Sequence, residues 1–254
     1  MFSLFVVIGS LLAGAARSVD LNPLSIFLST AVVILILGTC VAYLAKTSDV
    51  TSDSDVRGSE RPTLGSFAPF LLIGLVGALA FAVENAHQSW GAVFLSDELN
   101  TPPGIAALAP ATFAAIAATA RFAVSAARGL KPPVLLIGGS PVAATGTMIV
   151  AYSESVWVAL VGFAVAATGT SVLFPTLLSV ATKNVPEAQR GRATSAVGTI
   201  AYLGFLLGPA YVGLLASTTT LRTALVGVAI LALVYTLICL PVTRRLRTQG
   251  IRRT

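Results

Sequence analysis

The sequence predicts an all-α membrane protein, a helical bundle with about eight transmembrane helices. Three observations carry that expectation. Of the 254 residues, 56% are hydrophobic and only 10% are charged, and the mean hydropathy is +0.89; a soluble domain carries roughly 25% charged residues. The apolar runs reach the roughly 20 residues that a helix needs to cross a bilayer, about twice the length of a barrel strand. Basic residues, finally, collect in alternate loops, as the cytoplasmic loops of a multi-pass protein require.

Taken in order, residues 2–16 are apolar but short for a span. They have the look of a signal-peptide core with Ala13-Gly14-Ala15 as the cleavage site, but no basic residue precedes them. The run is therefore read as a short or incomplete membrane helix. Residues 17–23 form a loop and 24–45 a clean span, so 1–45 holds two transmembrane helices. Residues 46–65 are rich in Ser, Thr, Asp and Arg and read as an exposed linker. Six further spans follow at 66–95, 102–127, 132–152, 155–182, 191–216 and 221–242, making a six-helix unit over 66–243. Residues 244–254 are a basic tail holding Arg244, Arg245, Arg247, Arg252 and Arg253.

Charge sets the sides. Lys46, Arg57 and Arg61 lie in the linker, Arg128 and Lys131 in the next even loop, and Lys183, Arg190 and Arg192 in the one after. The intervening loops hold Asp97, Glu98 and Glu154, with Arg17 and Arg222 as basic exceptions. The linker and both termini are then expected to be cytoplasmic. The last six spans divide three and three with opposite orientation, an inverted-topology relation found in carriers. The net charge of +6 follows from these loops and gives no reason to expect a nucleic-acid partner. The lipid bilayer is the partner that composition demands.

The most informative stretch is 184–216, which opens on the charged loop 183–192 and then runs apolar without a charge. Gly204 and Gly208 form a GxxxG pair that lets another helix approach closely. Pro209 cannot supply the amide that would bond back to Phe205, so a kink is expected there. The stretch resembles the loop and eleventh helix of major facilitator superfamily transporters, and within them the bacterial fucose-permease-like branch. The resemblance is carried by Gly191-Arg192, by Ala201-Tyr202-Leu203-Gly204 and by Leu207-Gly208-Pro209.

That resemblance implies a secondary transporter of the bacterial inner membrane that moves a small, sugar-like solute by alternating access. It makes 66–242 similar to the family's helices seven to twelve, 24–45 to helix six and 2–16 to the end of helix five, with counterparts of the first four helices lacking. It also implies that a second copy or a separate N-terminal half pairs with this chain. A non-transporting fragment or partner subunit of a membrane complex is the alternative.

Candidate site residues come from the first span of the six-helix unit. Glu84, Asn85, His87 and Gln88 interrupt an apolar run, and the offsets of three and four place Glu84, His87 and Gln88 on one face. Counting along the span puts Glu84 in the outer third of the membrane. A carboxylate there is costly and usually faces a cavity to bind solute or relay protons; the other reading is an interfacial cluster with Trp90 as a belt residue. Glu84 and Trp90 match a Glu and a Trp seen in fucose-permease-like proteins, while Ser89 stands where an acidic residue is common.

Arg121 and Arg128 fall where the resemblance implies a cytoplasmic loop motif with a gating role, although Ala120 replaces its Gly and its Asp is missing. A snorkelling Arg121 is the plainer reading. Arg190 and Arg192 are assigned to the loops on the same side. Thr168, with Thr170 and Ser171, either lines a polar path or bonds back to its own helix. Cys40 and Cys239 lie in apolar runs, and with one His and no Cys/His cluster no metal is expected. No phosphate-cradling loop or nucleophile elbow is present in the sequence, so neither an enzyme nor a cofactor is expected.

Overall fold

A computed structural model describes residues 2–19, 22–47, 64–127 and 129–251. The described residues form helices α1 (Phe2–Ser18), α2 (Pro23–Thr47), α3 (Leu64–Val93), α4 (Pro103–Ala106), α5 (Leu108–Ala126), α6 (Pro132–Ala151), α7 (Val156–Thr170), α8 (Leu173–Thr182), α9 (Glu187–Thr218) and α10 (Leu221–Ile251). No strand occurs among them. Among the described residues seven stretches are long and apolar enough to cross a membrane, and Phe5–Ser18 is a shorter apolar helix. The fold is thus that of a multi-pass helical membrane protein.

Prolines place the ends and breaks. After α3 the chain makes a π-helical turn, Phe94–Glu98. It reverses at Asn100, whose φ of 51° is a left-handed value that Asn tolerates. Pro102 then holds the chain extended and Pro103 starts α4, where its missing N–H costs nothing. Lys131 precedes Pro132 in the same way at the start of α6. The expected span 155–182 is broken: α7 ends at Thr170 and α8 begins at Leu173. Pro175 explains the break, because it cannot donate to the Ser171 carbonyl one turn earlier.

Two close helix pairs hold the bundle together. Along α6 and α7, a Cβ placed on Gly139 would lie 2.8 Å from the Gly169 carbonyl oxygen, and one on Gly146 would lie 2.2 Å from the Ala166 amide nitrogen. Along α3 and α9, Cβ atoms on Gly204 and Gly208 would lie 1.9 and 2.4 Å from the carbonyl oxygens of Ala78 and Ala82. In lipid there is little hydrophobic force between helices, so such backbone approach supplies the dispersion contacts that hold them. Around these pairs Phe94, Phe113, Phe163 and Leu225 fill a core otherwise built mainly of Ala and Val. α1 crosses the start of α5, Gly14 meeting Ala107, whereas the α2 span is exposed along its whole length.

Some expected boundaries change. Arg190 and Arg192 are not in a loop but on the first two turns of α9, both exposed. The helical backbone of α10 continues to Ile251, through most of the stretch expected to be a tail. Residues 48–63 of the expected linker, including Arg57 and Arg61, lie outside the described residues.

The two basic exceptions of the charge pattern differ in what they meet. Arg17 and Asp97 line one cavity of about 530 Å³ between α1 and α5. Arg222 donates from Nε to Glu98 at 2.9 Å and from Nη1 to the carbonyls of Ala151 and Ser153 at 2.9 and 2.8 Å. It also lies 5.3 Å from the Phe94 ring centroid. Arg222 therefore ties the ends of α3, α6 and α10 together. Arg222→Lys is expected to lower stability by about 2 kcal/mol, because a single ammonium cannot reproduce the fork; thermal unfolding in detergent measures it.

Candidate functional site

The middle of the 70–98 stretch carries the polar cluster. Glu84 lies within α3, fourteen residues before the π turn ends at Glu98. The residue is only 2% exposed. A carboxylate so placed needs a partner, since burying an unpaired charge costs several kcal/mol. Arg121 of α5 supplies it, with Nη2 2.6 Å from Oε1. Gln88, one turn along α3, donates to the same oxygen at 3.4 Å. Arg121 thus turns into the bundle instead of snorkelling toward the surface.

The guanidinium has a second acceptor. Its Nε donates to the Ser171 carbonyl at 3.1 Å. That carbonyl has no amide partner in its own helix, because position 175 is Pro. The break between α7 and α8 and the ion pair are therefore one structure. In α9, Pro209 has no N–H to donate back toward the Phe205 carbonyl, and Asn85 Nδ2 donates to that oxygen at 2.5 Å, while the helix itself runs on unbroken. Trp90 donates from Nε1 to the Pro209 carbonyl at 3.0 Å and so packs on α9.

His87 goes elsewhere. An offset of three residues turns it about 60° from Glu84 on the helix, enough to leave the face. It is fully buried, 2.6 Å from the Val83 carbonyl through Nδ1 and 2.9 Å from Thr147 Oγ1 through Nε2. The carbonyl can only accept, which assigns the proton to Nδ1. The ring stacks on Phe113 at 5.2 Å and meets the Phe163 edge at 6.2 Å. The expected common face of Glu84, His87 and Gln88 is therefore corrected: Glu84 and Gln88 share it, and His87 ties α3 to α6.

Thr168 bonds back to the Ala164 carbonyl at 2.9 Å on an exposed face, and Thr170 to Ala166 at 3.1 Å. Of the expected gating residues, Arg128 lies outside the described residues. Among the described residues no group of three or more His, Cys, Asp or Glu could hold a metal ion.

One feature was not singled out from the sequence. Phe81, one turn from Glu84, is the centre of an aromatic cluster. Its ring centroid lies 4.2 Å from Phe174, 4.6 Å from Phe205 and 5.2 Å from Tyr202. Phe174 follows Ser171 by one turn, and Tyr202 precedes Phe205 by nearly one. Tyr202 leaves 62% of its surface exposed. The spacing of Phe174 and Phe205 to Pro175 and Pro209 was the available signal.

Together these features define a polytopic helical membrane protein with an ion pair on a buried carboxylate beside a proline-broken helix. The chain belongs to the Major Facilitator Superfamily, whose sequence profile matches residues 70–253. It is 30% identical over 250 residues to an uncharacterized MFS-type transporter of Yersinia pestis, covering 96% of this chain and 62% of the relative. It is 28% identical over 226 residues to the uncharacterized transporter y4wD of Sinorhizobium fredii, covering 87% of this chain and 58% of that one. The chain therefore spans about three-fifths of the length of the curated relatives it matches. Its fold is similar to the crystal structure of a peptide transporter, POT, in complex with alafosfalin, with a TM-score of 0.61 at 15% identity over 70% of this chain and 39% of that one.

Proposed function

We propose that this chain acts in secondary transport of a small polar solute across a bacterial inner membrane, with α3 to α10 forming one half of an alternating-access carrier. The observation that carries this reading is the Glu84–Arg121 pair. It joins a buried carboxylate within a membrane-spanning helix to an arginine of α5, and ionisable residues so placed usually mark a solute or ion path. Glu84 takes up the solute or a proton, and Arg121 compensates its charge in the interval. The exposed face of Tyr202, beside Phe205 and Phe81, offers an apolar platform to the ring of a sugar-like solute, the class suggested by the resemblance of 184–209 to fucose permeases. A second copy or a separate N-terminal half supplies the facing wall of the cavity.

Uptake into proteoliposomes with an imposed proton gradient, screened with radiolabelled monosaccharides, tests this. Glu84→Gln is expected to cut uptake at least tenfold while the protein inserts at the wild-type level. Uptake within twofold of wild type would remove Glu84 from the mechanism.

Both termini face the cytoplasm in this proposal, from the charge alternation. In a background without Cys40 and Cys239, a membrane-impermeant thiol reagent added outside should label Asp97→Cys and spare Lys183→Cys. The opposite labelling would invert the topology.

A further inference from the structure

We propose that the cavity between α1, the π turn and the start of α5 binds a zwitterionic phospholipid through its phosphoethanolamine headgroup, with Arg17 on the phosphate and Asp97 on the ammonium. The site is separate from the Glu84–Arg121 pair and needs only that the bundle sits in a bilayer. Its volume is about 530 Å³. That is enough for a headgroup and the glycerol below it.

The cavity has a polar end and an apolar end. A Cβ on Gly104 would lie 3.9 Å from the Ser18 Cβ, and Gly14 meets Ala107, so α1 runs antiparallel to α4 and α5. Arg17 is then level with the loop that joins α3 to α4. Asp97 lies at the same end, just before that loop. The π turn puts it there: Phe94 and Leu95 stay fully buried, Ser96 and Asp97 come out on the α1 side, and Glu98 reaches Arg222. Ser10 marks the other end, seven residues and about 10 Å along α1. Apart from Ser10, the inner lining is Ala13, Ala92 and Pro110, which offer no polar side-chain atom.

Charge selects the occupant. Arg17 and Asp97 line one cavity, yet among the described residues no ion pair joins them. Opposite charges held apart at the edge of a low-dielectric slab leave each other incompletely compensated. A zwitterion between them satisfies both and adds no net charge. The guanidinium fork matches a phosphate, and a primary ammonium brings three N–H donors to the Asp97 carboxylate. A choline headgroup has no N–H to give, and a glycerol headgroup has no cation. The apolar inner end favours a lipid over a free zwitterion: the acyl chains leave past Ala13, Ala92 and Pro110, where a soluble solute would find nothing to bond.

Native mass spectrometry of the full chain, released from nanodiscs holding equal amounts of phosphatidylethanolamine, phosphatidylcholine and phosphatidylglycerol, tests the proposal. Phosphatidylethanolamine adducts are expected to exceed each of the others about tenfold, the scale of one charge-assisted hydrogen bond. Asp97→Asn should bring them down to the phosphatidylcholine level and leave phosphatidylcholine unchanged. Arg17→Gln should lower all three lipids, because each carries a phosphate. Ala13→Leu keeps both charges but fills the inner end, and should also remove the phosphatidylethanolamine adducts; it carries the test if a charge variant does not insert. Glu154→Gln, at a different cavity, should change nothing. Soluble glycerophosphoethanolamine should fail to displace the lipid. Displacement at equal concentration would make this a site for a free zwitterion and overturn the lipid assignment. Equal retention of the three lipids, or a phosphatidylethanolamine preference that survives Asp97→Asn, would overturn the proposal.

Discussion

Arg121→Met should be the most damaging single change to the buried polar cluster. It strands Glu84, whose side chain is 3% exposed, without its counter-charge. Breaking a buried pair from one side costs about 3–5 kcal/mol, because the remaining charge keeps its desolvation penalty without the compensating attraction. The converse, Glu84→Leu, should cost less. Arg121 is 29% exposed and keeps the Ser171 carbonyl as an acceptor. The double variant Glu84→Leu/Arg121→Met should recover most of the loss, since apolar groups of similar size often replace a buried pair at little cost. Uptake, by contrast, should be lost in all three variants. Unfolding in detergent, followed by tryptophan fluorescence, gives the three stabilities. If the double variant is as unstable as the sum of the singles, the pair is not the coupling between α3 and α5.

The second large effect is steric. Gly204→Val is expected to disrupt the bundle, with a loss at or above the upper end of the roughly 1–3 kcal/mol typical of overpacking. Its Cβ would fall 1.9 Å from the Ala78 carbonyl oxygen. That atom belongs to backbone, which cannot rotate away as a side chain can. α9 would have to move off α3 along its length, and the Asn85 bond to Phe205 would go with it. Gly198 in the same helix is the control, since nothing lies within 4 Å of its Cβ position. Gly198→Ala should be neutral or should stabilise the helix by about 0.5–1 kcal/mol. Yield of monodisperse protein and the melting temperature distinguish the two. Normal folding of Gly204→Val would mean that α3 and α9 do not pack as closely as described.

Much of the architecture was legible because lipid simplifies the problem. A helix must satisfy its own backbone in the membrane, so a long apolar run has few alternatives. That is why the expected span 132–152 fell within a residue of Pro132–Ala151, and why the span expected from 221 starts where α10 does, at Leu221. Proline speaks less surely: the kink expected at Pro209 does not interrupt α9, which runs unbroken from Glu187 to Thr218, whereas Pro175 ends one helix and starts another. The donor rule applied to Pro175 would have named Ser171.

Partners were not legible. That Arg121 points inward is decided by α3 bringing Glu84 to within 2.6 Å, a contact across 37 positions of sequence. The 60° between Glu84 and His87 is small on a helical wheel, yet α5 lies on one side of it and α6 on the other, so one residue joins the ion pair and the other is sealed against Phe113. Asn85 could equally have faced lipid, solute or helix. Only the approach of α9 gave it a carbonyl to hold. The sequence by itself determined the membrane-spanning helices and the polar residues that must be accommodated. The tertiary structure decided which partner each polar residue meets, because hydrogen bonds between helices depend on side-chain direction and on distances that no spacing along one chain encodes.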